Sequence, residues 1–138
     1  MPKQKKSNKL QIKSCIICEI ARKELGGKDS LMGVFAHTIM TQEIPFMVPF
    51  FAIWIEMKAE KLKYDSLEIQ VMSPDGKMIV GAKGSLEFSE INDFVGIPFQ
   101  LPALIFPLEG IYKVRFGYDN DMAEVGQFEV RKGTPPTK

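Results

Sequence analysis

The chain has 138 residues, 45% of them hydrophobic and 25% charged. That is the balance of one ordinary globular domain, and it argues against low-complexity disorder and a membrane bundle. The net charge of +1 hides an asymmetry: residues 1–13 hold five lysines and residues 131–138 three more cations, with no acid in either stretch, so residues 14–130 carry all 17 acids.

The expected organisation is a basic extended or disordered tail over 1–13, a folded domain over 14–131 and a short tail over 132–138. Basic tails can attach weakly to nucleic acid, but solvated ends are the plainer reading, so nucleic acid is not the expected partner. The basic N-terminus lacks the apolar segment of a secretory signal. The longest apolar run, Ile44 to Ile55, is too short to cross a bilayer and contains Pro45 and Pro49. A cytoplasmic protein without membrane contact is the expectation.

In chain order, Cys15 to Phe35 reads as a hairpin. Ile16, Cys18 and Ile20 share one face of an extended segment, Leu25-Gly26-Gly27-Lys28-Asp29 forms the turn, and SLMGVFAH returns. A two-turn helix over EIARKEL is the competing reading, marginal for want of a long apolar stripe. Residues 49–58 place Phe51, Ile53, Ile55 and Met57 on one face, and Leu67, Ile69 and Val71 repeat the two-residue period. SPDGK, Ser73 to Lys77, supplies the Asp-Gly of a tight turn. Further strands fall at 78–83, around Leu86 and Phe88, at 97–106, at 111–118 and at 123–131. Gly126 interrupts the last of these in the manner of a bulge. IPFMVPFF and IPFQLPAL share Ile-Pro-Phe-x-x-Pro, which reads as proline protection of strand edges. Seven to nine strands without a convincing helix predict an all-β, two-sheet antiparallel sandwich.

Candidate chemistry is sparse. Cys15 and Cys18 lie three apart on an extended segment, so their side chains point to opposite faces and read as small buried hydrophobes. His37 is the sole histidine, so no multi-histidine metal site or histidine-based catalytic pair forms within one chain. Asp119, Asp121 and Glu124 resemble part of a calcium loop but lack its full spacing, and a divalent-cation or small-ligand site on the rim is a secondary reading. No phosphate-binding glycine motif occurs, so no catalytic residue, cofactor or metal is expected. Phe46, Phe50 and Trp54 are the candidate interaction surface. Facing outward they would need cover, either from this chain's own loop, tail or second sheet, or from a partner. A homodimer through that face or through an edge strand is one form the partner takes.

ICEIARKELGGKDSLMGVF, SPDGK and FPLEGIYKVRFGYDNDMAEVGQFEV together resemble a family of small bacterial proteins of uncharacterised function. The resemblance implies a fold and no catalytic residues. Glu109-Gly110-Ile111-Tyr112 is also similar to the Gly-x-Tyr of immunoglobulin-like domains, which implies such a sandwich, although the inter-sheet cysteine pair of true immunoglobulin domains is missing. The expected function is that of a non-enzymatic interaction or accessory module with an unknown protein partner.

Overall fold

The computed structural model describes residues 10–119 and 121–133. Among them lie eleven strands: β1 (Ile12–Lys23), β2 (Asp29–Val34), β3 (Thr38–Thr41), β4 (Phe46–Val48), β5 (Phe51–Ala59), β6 (Lys63–Met72), β7 (Met78–Glu87), β8 (Asp93–Leu101), β9 (Leu104–Phe106), β10 (Gly110–Tyr118) and β11 (Asp121–Lys132). None of the described residues is helical, and no helix is long and apolar enough to cross a membrane. One sheet runs β2-β1-β5-β8, the other β3-β11-β10-β6-β7, and β4 and β9 form a separate two-stranded ribbon.

The two-residue period does what it predicts. Phe51, Ile53, Ile55 and Met57 of β5, Leu67, Ile69 and Val71 of β6, and Tyr112, Val114 and Phe116 of β10 meet in one core. Rings fill one end: Phe51, Phe106, Tyr112 and Phe128 sit with centroids 5.1–5.8 Å apart, mostly edge to face, which adds quadrupolar attraction to area burial. The Ser73–Lys77 turn closes as expected. Ser73 N–H donates to the Lys77 carbonyl at 2.7 Å, and Gly76 takes a φ of 85° that a side chain would oppose. The β1–β2 hairpin also forms, in place of the competing helix.

Two expectations need correction. The described residues form eleven strands, not seven to nine: Pro102 divides the segment predicted at 97–106, and Phe46–Val48 and Thr38–Thr41 form short strands that were not predicted. The antiparallel expectation also fails at one pair: β3 runs parallel to the end of β11, Thr38 opposite Glu129 through Thr41 opposite Lys132. The chain leaves β2 in one sheet and crosses to the other through Phe35–His37. A crossing of that kind, unlike a tight hairpin, leaves strand direction free.

The shared Ile-Pro-Phe-x-x-Pro segments acquire a structural meaning. β4 pairs with β9 and β5 with β8 in one uninterrupted register: Val48 faces Leu104 and Phe51 faces Leu101. Between those pairs Pro49-Phe50 opposes Pro102-Ala103. Two residues without an N–H therefore break the ladder at the same level, and β4–β9 forms a ribbon separate from the sheet.

Candidate functional site

The structure separates the three residues read as one surface. Phe46 sits in β4 opposite Phe106 and packs half-buried against the main core. Phe50 occupies the proline break and is 55% exposed. Trp54 lies on the outer face of β5, and this chain covers it. β1 pairs with β5 only up to Cys18 opposite Ala52. Beyond that the far end of the β1–β2 hairpin rests on the outer face of β5 and β8, forming a second small core of Cys18, Ala21, Leu31, Ala52 and Trp54.

Polar contacts fix that hairpin in place. Trp54 Nε1–H donates to Asp29 Oδ2 at 2.7 Å, and Lys23 Nζ lies 3.1 Å from Asp29 Oδ1 and donates to the Gly96 carbonyl at 2.7 Å. Gly96 makes room for this, since a Cβ there would fall 2.7 Å from the Trp54 ring. Gln100 reaches across the small Ala52, donating to the Glu19 carbonyl at 3.0 Å and accepting from Ala21 N–H at 3.2 Å. Of the two covers considered for Trp54, an intramolecular loop is the one the chain uses.

The cysteines diverge as their spacing requires. Cys18 is fully buried under the hairpin, whereas Cys15 points between the sheets. Burial pushes the Cys15 thiol up to about 12, so at neutral pH it is a neutral hydrophobe, neither a thiolate nucleophile nor a ready metal ligand. His37 is exposed, and its carbonyl accepts from Glu129 N–H. Asp119 sits at the β10–β11 turn with a φ of 53°, Asp121 opposes Tyr118, and Glu124 lies 3.7 Å from Lys113 Nζ. Among the described residues, no three His, Cys, Asp or Glu side chains gather in a group able to hold a metal. The lysines at 3, 5, 6 and 9 and the chain end from 134 lie outside the described residues.

What the fold does assemble is a seam between β1 and β11. β2 pairs with β1 only from Cys18 onward and β3 with β11 only from Glu129 onward. Among the described residues, the first half of β1 and residues 122–127 of β11 therefore each present an edge without a strand partner, on the same side of the sandwich. The register slips between Val114 and Arg115, leaving Val125 as the extra residue of a bulge, where the glycine pattern predicted one. There the two edges touch: a Cβ on Gly126 would lie 2.9 Å from Cys15 Sγ. Openings flank this contact. One, of about 230 Å³, is lined by Ile17, Phe35, His37, Gln127 and Phe128; the other, of about 370 Å³, by Leu10, Ile12, Ser14, Glu124 and Val125. Sequence reasoning found the bulge and the buried thiol but missed the seam, because two strands distant in sequence must come together to make it.

Over residues 13–131 the sequence matches DUF6941, a family of unknown function. The chain belongs to that family. A search of curated proteins found no match. The match spans all eleven strands except Ile12 at the start of β1 and Lys132 at the end of β11.

Proposed function

We propose that this DUF6941 protein is a non-catalytic, immunoglobulin-like binding module that takes an extended polypeptide segment at the β1–β11 seam. The observation that carries the reading is the pair of strand edges without a strand partner, flanked by one mainly apolar opening and one more polar one. Unpaired N–H and C=O groups are ready partners for an added strand, and the flanking openings accept its alternate side chains. Two features support the immunoglobulin-like comparison. The order β3-β11-β10-β6-β7 has its first strand parallel to the last of the chain. Tyr112, at the start of β10, donates its hydroxyl to the Leu108 carbonyl at 2.7 Å and accepts from Leu108 N–H at 3.2 Å, the tie of a tyrosine corner.

The test is a displayed library of extended peptides, followed by amide hydrogen exchange on the best binder. Protection should appear in residues 12–16 and 122–127. Binders that protect only other strands, or a library that yields none, would count against the seam.

A further inference from the structure

Four strands form the lateral edges of the two sheets, and three are unsuited to receive another strand. β3 has four residues. β2 carries Gly33 at a φ of 66°, outside the extended region. β8 contains Pro98, which has no N–H to give. β7 is different: ten residues, MIVGAKGSLE, without proline, hydrogen-bonded to β6 on one side and, among the described residues, to no strand on the other. We propose that β7 is a self-association edge, pairing antiparallel with β7 of a second copy of this chain about a two-fold axis at Ser85.

The register follows from the side chains. A two-fold axis perpendicular to the sheet keeps each face on its own side, so inward residues oppose inward ones and outward oppose outward. Val80, Ala82, Gly84 and Leu86 lie opposite the buried residues of β6 and face inward, as does Phe88 against Tyr64. Gly81, Lys83, Ser85 and Glu87 face outward. Centring the axis on Ser85 sets Lys83 against the second copy's Glu87, twice by symmetry. On the inner face it sets Gly84 against Leu86, a small residue opposite a large one, and the paired stretch is Lys83 to Glu87 of each copy. Centring on Lys83 instead would face like charges, and centring on Gly84 would leave Lys83 opposite serine.

Lys83 stands opposite Glu68 and Glu87 opposite Lys63 in the register with β6. Both are exposed and, among the described residues, neither has an ion pair or side-chain hydrogen bond. Pairing identical edges consumes both, so association closes at a dimer rather than growing into a fibre. This edge lies in a different place from the seam and does not depend on it.

Sedimentation equilibrium of the full chain up to about 100 μM reads the proposal directly. The parent should dimerise. Lys83→Glu and Glu87→Lys should each raise the dissociation constant about tenfold or more, since each converts two opposed pairs into like charges. The double charge reversal should return it to within about threefold of the parent. Melting curves on the same samples should show all three variants folded, both side chains being exposed. A parent that stays monomeric, a dimer indifferent to both single changes, or a double variant no tighter than the singles would overturn the proposal.

Discussion

The contact that joins the two sheets at the seam can be tested by a double-mutant cycle on Gly126 and Cys15. Gly126 does not adopt a positive φ, so its backbone accepts alanine, and on conformational entropy alone Gly126→Ala should stabilise by about 0.4–1 kcal/mol. Space decides otherwise. The new methyl would sit 2.9 Å from Cys15 Sγ, a separation that forces movement between two packed layers, and overpacking of this kind costs about 1–3 kcal/mol. The net expectation is a loss of about 1–2 kcal/mol, or about 3–6 °C in Tm for a chain of this size. Cys15→Ala alone removes a buried sulfur and costs about 1 kcal/mol. In the double variant the nearest remaining atom is Cβ of residue 15 at 3.3 Å, a tight but yielding neighbour. Adding Gly126→Ala to Cys15→Ala should therefore cost almost nothing, which puts the coupling at about 1–2 kcal/mol. Urea unfolding followed by fluorescence of Trp54, the sole tryptophan, measures all four corners. Additivity within about 0.5 kcal/mol would show that β1 and β11 do not meet as described.

Three further outcomes follow from the same geometry. The Cys15 pKa is raised from 9.0 to about 12, so burial favours the neutral thiol; its contribution to stability is complete below pH 9 and is lost as pH rises toward 12. The stability gap between the parent and Cys15→Ala should accordingly narrow over that window in urea titrations, and a gap constant with pH would contradict the burial. Tyr112→Phe removes the donor to the Leu108 carbonyl and the acceptor for Leu108 N–H; it should cost about 1–3 kcal/mol without unfolding the chain, as read by thermal melting, and a neutral result would mean water replaces both bonds. Asp29→Ala deletes the group that holds both Trp54 and Lys23, so it should lower stability by about 1–3 kcal/mol and speed tryptic cleavage at Arg22, Lys23 and Lys28. Unchanged cleavage would mean that apolar packing alone seats the hairpin.

The parts of this fold that could be read from the chain are those written in near neighbours. Alternation along β5, β6 and β10 assigns each side chain to a face, because a strand has a period of two whatever it pairs with. The same parity sends Cys15 and Cys18 to opposite sides, and Asp75-Gly76 fixes a turn by its own backbone needs. Thr38–Thr41 escaped because four residues carry too little alternation to stand out, and its strand exists only through β11, some ninety residues away. Trp54 was ambiguous for the same reason: an outward tryptophan demands cover, but that the cover is the hairpin carrying Asp29 depends on where β1 stops pairing with β5.

Proline shows how local chemistry and distant pairing combine. On its own, each Ile-Pro-Phe-x-x-Pro segment predicts an edge short of one or two N–H donors, and Pro98 in β8 fulfils that reading on the open side of its sheet. Pro49 and Pro102 do something no single segment predicts. Because the segments lie in strands that pair with each other, their second prolines fall at one level of the ladder, and the break converts one long two-stranded ribbon into a sheet pair and the separate β4–β9 arm. That arm carries Phe106 inward to the ring cluster while leaving Met47 and Ile105, which oppose each other on its other face, in solvent. The edges that proline guards are closed to strand addition, and proline is missing from β7 and from both sides of the seam. Proline closes only the β8 border in this way; β2 is closed by the φ of Gly33 and β3 by its length of four residues.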